Sequence, residues 1–315
     1  MISFFANIFG YILNWIYNII GNYGFAIILF SIIIKLILVP ISVKQQKTMK
    51  KSSKIQEKVK EIKVKYKNNP EKQTEATMAL YKEENMSPFS GCLSAIVQIV
   101  LLFAVFYLVK SPLTYMKKVD VDVIDKYTTI MQQYDLSTNS AYPEIEVLRE
   151  INNIKGLKDK EIPEENKENK TNTAEINDQE LDSLNINMDF FGLNLAQVPT
   201  KSSDWKVYII PFLYVVMSII SMKITMATNP TRPKKKEIEN ENETALVRKD
   251  QVKVEEEFDP VAQMNKNMTY MFPIMYLAVA LIAPLGLALY WLMNSVLIII
   301  ERLILNNVLK EEEEQ

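Results

Sequence analysis

This sequence predicts an all-α polytopic membrane protein. It should have five transmembrane helices, a basic cytoplasmic helical hairpin and an interfacial helix at its N-terminus. Three observations carry that expectation. Long apolar runs alternate with charged blocks, although the whole chain averages only 48% hydrophobic with a net charge of −2; segregation of this kind marks a membrane protein rather than one soluble globule. The run from Tyr23 to Val43 is apolar almost throughout and has about the twenty residues needed to cross the hydrocarbon core as a helix. Directly after it, residues 44–86 are dense in lysine, so the positive-inside rule keeps this short connection in the cytoplasm.

Residues 1–22 carry no Lys or Arg, so they lack the basic region of an ordinary secretory signal. Asn7, Asn14 and Asn18 interrupt the apolar run at seven- and four-residue spacing, which draws a polar stripe along a helix. A helix lying on the membrane fits, with Trp15 and the tyrosines at headgroup level. The alternative is an extra span turning tightly at Gly21–Gly24.

The first span, 23–43, contains one residue that breaks its pattern. Lys35 lies among Ile33, Ile34, Leu36 and Ile37. A central lysine costs about 2.5 to 3.5 kcal/mol on an insertion scale, so it needs a compensating reason. Snorkelling is the plain explanation. Lys44, at the expected end of the span, is nine residues on, or about 13 Å at the helical rise, which is far for an unaided lysine stem. A wet cavity lined by polar groups is the preferred reading. Ser31, Lys35 and Ser42 share one helix face at this spacing.

Residues 44–90 read as a helical hairpin. Met49, Ile55, Val59, Ile62 and Tyr66 make an approximate stripe, Asn68-Asn69-Pro70 breaks the helix, and a second arm resumes at Glu71. Its charge is either a solvated face or an attractor of anionic lipid and ribosomal RNA.

The second span is 91–109. Its one strongly polar member, Gln98, serves either as an interhelical hydrogen-bonder or as a second lining group of the Lys35 cavity. Residues 110–205 form an extracytoplasmic loop: 119–153 has helical potential, 161–182 reads as flexible, and the apolar stretch from Met188 rests at the membrane surface. The third span, 206–226, ends before the stop signal Arg232-Pro-Lys-Lys-Lys236 in a cytoplasmic loop, 227–266. The fourth and fifth spans, 267–283 and 285–305, are joined at Pro284 and so form an antiparallel pair. The fifth carries Trp291 and Asn294, and Glu301 with Arg302 marks the return to the cytoplasm. The tail, 306–315, is acidic and solvated. This order places the N-terminus outside and the C-terminus in the cytoplasm.

The composition also excludes. There is no His and a single Cys, which rules out an intramolecular disulfide framework and argues against Cys/His metal sites. No Gly-rich phosphate loop, GxSxG or HExxH occurs, and the apolar spans offer no carboxylate pair. The expectation is a protein that is not an enzyme and needs no cofactor.

Four stretches together resemble the YidC/Oxa/Alb membrane protein insertases: NYGFAIILFSIIIKLILVPISVKQQKTMKK, KYKNNPEKQTEATMALYKEENMSPFSGCLSAIVQIVLLFAVF, DFFGLNL and MFPIMYLAVALIAPLGLALYWLMNSVLIIIE. The resemblance covers all five spans and the hairpin. It implies a five-helix core around a hydrophilic groove, open to cytoplasm and lipid and closed outside. Lys35 stands at the family's first-span arginine, keeping the charge but losing the bidentate fork. Gln98 matches a groove-lining glutamine, and Trp291 lies in the LALYW stretch. The implied substrate groove is therefore Lys35, Ser31, Gln98, Asn294 and Trp291. Ser87-Pro88-Phe89-Ser90 and Val100 depart from the family's usual pattern without contradicting the fold.

The resemblance further implies nascent membrane proteins as partners, with acidic tails drawn by Lys35, and membrane lipids around the spans. Contact with the ribosome and a Sec translocon would fall to the basic hairpin 44–86; no DNA partner is expected. A small-solute or anion transporter using Lys35 is the alternative, but it lacks the inverted repeats such folds show. A membrane-anchored sensor built on residues 111–205 is a third class.

Overall fold

The computed structural model describes residues 2–67, 69–86, 90–136, 141–157, 176–228 and 277–314. The expected cytoplasmic loop beyond residue 228, its basic cluster 232–236, and most of the expected fourth span therefore lie outside the described residues. So do residues 161–175 of the segment 161–182.

The chain opens with α1, Ile2–Ile20, and α2, Tyr23–Lys65. In α1 the buried residues Ala6, Phe9, Leu13 and Ile16 recur at helical spacing, while Phe4, Tyr11, Trp15 and Ile19 face outward. The buried stripe packs against both α2 and α4. Between α1 and α2, Gly21 takes a positive φ of 70°, and Asn22 caps α2 by accepting the Phe25 N–H at 3.2 Å.

Helix α2 does not stop at the membrane boundary. It continues with Pro40 inside it as far as Lys65, 43 residues or about 64 Å of helix. The lysine-rich run is polar but made of good helix formers, so the span and the first arm of the hairpin are one rod. Asn69 then caps α3, Pro70–Glu83, with Pro70 in its first turn. The two arms run antiparallel. Lys51 donates to the Glu84 carbonyl at 2.6 Å, Lys58 pairs with the Glu84 carboxylate at 2.6 Å, and Gln73 donates to the Lys63 carbonyl at 3.1 Å. Ile55 and Leu80 are buried in the hairpin.

Helix α4, Ser90–Lys110, leads into a π-helical turn, Leu113–Lys117, that lies against α1. A Cβ on Gly10 would stand 1.9 Å from the Tyr115 carbonyl oxygen, so only glycine permits this approach. The connection that follows folds as a small helical unit: α5, Val121–Gln133; α6, Pro143–Lys155; and α7, Asp178–Leu184. Ile124, Tyr127, Ile130, Ile145, Ile151, Leu181 and Leu184 are buried within it. Lys126 pairs with Glu180 at 2.7 Å, and Lys155 pairs with Asp182. The described end of the stretch expected to be flexible is thus helical and packed: Leu181 and Leu184, one turn apart, anchor it.

A two-residue ladder follows, β1 (Asp189–Phe190) against β2 (Leu193–Asn194), turning at Phe191 and Gly192, which both have positive φ. This segment ties together the N-terminal ends of two candidate spans. Tyr23 N–H donates to the Asn187 carbonyl, and Asn22 donates to the Asp189 carbonyl. Leu285 and Gly286 donate to the carbonyls of Gln197 and Leu195. Helix α8, Ile209–Thr228, helix α9, described over 277–282, and α10, Leu285–Glu314, complete the described chain. Helix α10 packs chiefly on α8 and then on α2.

Among the described residues, three helices are long and apolar enough to cross a membrane: Tyr23–Thr48, Trp205–Thr225 and Leu285–Val308. Exposed apolar side chains line their outer faces, among them Leu36 and Ile37 on α2, Phe212 on α8, and Leu303 and Ile304 on α10.

Candidate intramembrane site

Helices α2 and α10 lie side by side and run the same way. Gly286, at the start of α10, faces Tyr23 and Ile27 near the start of α2; a Cβ there would meet the Tyr23 ring at 3.4 Å. Lys35 lies twelve residues along α2 and Glu301 sixteen along α10, depths of about 18 and 24 Å at the helical rise. Their side chains meet: Lys35 Nζ is 2.6 Å from Glu301 Oε2. The two side chains are 19% and 11% exposed, and both residues fall within candidate spans. An ammonium and a carboxylate at this depth neutralise each other, which accounts for a lysine inside an apolar run without snorkelling.

The pair is not fully satisfied. Glu301 Oε1 is buried and has no hydrogen-bond partner among the described residues. A bare carboxylate oxygen in such surroundings is costly and is a site for a donor.

Ser31 lies one turn before Lys35 on the same face of α2 and is buried. Its hydroxyl donates to the Ile27 carbonyl at 2.7 Å, so the proton is turned back into its own helix. Ser295 does the same on α10, donating to the Trp291 carbonyl at 3.0 Å. Asn294 is half-buried and lies two turns before Glu301, on the same face of α10. Trp291 is buried against Tyr214 of α8, with ring centroids 5.7 Å apart, a contact that fastens α10 to α8. The backbone of Gln98 lies in α4; its side chain lies outside the described residues.

The structure therefore joins Lys35 to a residue that sequence reasoning had placed only at the membrane boundary. The signal for Glu301 was present as a single acid within the apolar run LIIIERLIL. No local pattern connects it to Lys35.

No cluster of three or more metal-ligating side chains occurs among the described residues.

The family model described as 60Kd inner membrane protein matches residues 15–313. Curated relatives carry the name membrane protein insertase YidC. The one from Chlorobaculum tepidum is 43% identical over 100 residues, covering 32% of this chain and 17% of the relative. The one from Caldanaerobacter subterraneus subsp. tengcongensis is 38% identical over 102 residues, covering 32% of this chain and 50% of the relative. One from Buchnera aphidicola is 44% identical over 100 residues, covering 19% of that protein. The aligned stretch thus spans half or less of each of these relatives.

Proposed function

The chain belongs to the 60Kd inner membrane protein family, the YidC/Oxa/Alb insertases, and from that membership we propose that it inserts nascent membrane proteins. It receives a client's polar tail or loop in a hydrophilic groove between the spans and releases the apolar segment into the bilayer. The observation that carries this reading is the Lys35–Glu301 pair. It is a polar site held within two spans, where hydrocarbon alone would exclude a client's backbone polar groups.

The steps need no nucleotide. A polar tail leaves water for a site that already holds charge and hydrogen-bonding groups, which lowers its desolvation cost. The following apolar segment meets the lipid-facing edges of α8 and α10, around Val215–Ile219 and Leu292–Ile299, and partitions into lipid by the hydrophobic effect. Five spans, an outside N-terminus and a cytoplasmic C-terminus belong to this proposal. So does a ribosome or Sec translocon contact through the lysine-rich hairpin.

The solute-transport alternative requires a free cation for an anion to bind. Lys35 is already paired, which weighs against it.

The test is insertion of a single-span client into vesicles containing Lys35→Gln or Lys35→Ala protein that still accumulates in membranes. Insertion should fall severalfold in both. Native rates in both variants would remove the site from the mechanism.

A further inference from the structure

The pair has an asymmetry that bears on which clients the groove accepts. Lys35 is expected to attract acidic tails if its charge is free, yet Glu301 Oε2 holds it at 2.6 Å. An acidic client that took the ammonium would leave Glu301 as a buried carboxylate without its ion-pair partner, a costly state. Glu301 already has one uncompensated oxygen, Oε1. A client that brings donors instead, such as the free backbone N–H groups, hydroxyls or amides of an extended neutral segment, satisfies that oxygen and leaves the ion pair intact.

We propose that Glu301 sets the specificity of the groove. It balances the Lys35 charge in an ion pair and offers its second oxygen to hydrogen-bond donors, so the site favours neutral polar tails over acidic ones. The proposal rests on the insertase reading above. It reverses the attraction of acidic tails that Lys35 suggests when it is considered alone.

The experiment uses full-length protein in membranes and two stalled clients with identical apolar segments. One has a Ser/Asn-rich tail and the other an Asp/Glu-rich tail, each carrying a photoreactive residue. The readout is the ratio of acidic-tail to neutral-tail adducts formed with the protein. In the native chain the neutral tail should dominate. Glu301→Gln keeps the shape but frees the Lys35 charge, and the ratio should rise about tenfold, within what one hydrogen bond to a charged group supplies. Adding Lys35→Gln to Glu301→Gln should remove that rise, which a merely structural role for Glu301 would not produce. Glu301→Asp, which withdraws the carboxylate by one methylene, should give an intermediate ratio, and it decides the matter if Glu301→Gln fails to accumulate. A ratio unchanged or lowered in the Glu301 variants, with native adducts present, overturns the role of Glu301 alone. No adduct with either tail in the native protein overturns the insertase reading beneath it.

Discussion

Gly10 shows how one residue fixes the approach of two elements. A methyl group there would meet a backbone carbonyl at 1.9 Å, and a carbonyl cannot rotate aside as a side chain can. Gly10→Ala should therefore destabilise by about 1 to 3 kcal/mol or more through overpacking. A lowered thermal midpoint in detergent would show this, and an unchanged midpoint would mean that α1 shifts freely.

At the same scale, two acids of the α5–α7 unit respond to pH in opposite directions. Burial pushes the Glu144 carboxyl above the usual carboxylate range, although Thr114 donates to it through both its N–H and its hydroxyl. The folded state thus binds that proton more tightly, and the Glu144 contribution is lost as pH rises above the ordinary carboxylate value. Hydrogen bonds from Lys126 and Tyr127 hold Glu180 below that range. Its contribution is present above the ordinary value and lost as pH falls through the lowered one. Thermal midpoints measured from about pH 3.5 to about pH 7 should separate them. The difference native minus Glu144→Gln should shrink as pH rises, and native minus Glu180→Gln should grow. Parallel slopes would refute the assignment.

Among elements, the hairpin is held by packing more than by charge. Lys58 and Glu84 are exposed, so solvent screens their pair and it contributes little. Ile55 is 1% exposed, and Ile55→Ala should cost about 2 to 5 kcal/mol locally. Hydrogen exchange in α3 should accelerate strongly in Ile55→Ala and little in Glu84→Ala; the reverse order would place the stability in the ion pairs. These elements also mark what the sequence made legible. The apolar runs announce the spans by length, and Asn69-Pro70 announces the start of α3 because both residues act locally. The continuity of α2 was not legible, because Lys44 marks a change of solvent and not a change of backbone. The packing of α7 was hidden because Leu181 and Leu184 sit in an otherwise polar stretch whose partners are distant in sequence. The candidate site divides in the same way. Lys35 stood out against its neighbours, whereas its pairing with Glu301 depends on two helices meeting.

For the whole molecule, the α2–α10 contact is built differently near the helix starts and farther along them. At the helix starts, backbone carbonyls of residues 187–197 accept hydrogen bonds from Tyr23, Leu285 and Gly286, and the helical unit α5–α7 belongs to the same connection between α4 and α8. Deeper in, the two helices are joined through an incompletely satisfied ion pair. Water and polar chain segments should therefore reach this contact from the cytoplasm and not from outside. The chain has one cysteine, Cys92, so a Cys92→Ser background carrying Asn294→Cys supplies a single probe two turns from Glu301. An impermeant maleimide should label it in inside-out vesicles and leave it unlabelled in right-side-out ones. Labelling restricted to right-side-out vesicles would invert the topology, and protection in both would mean that the contact is dry. In a dry contact the Lys35–Glu301 pair is a structural clasp, and a groove for polar client segments would have to lie elsewhere.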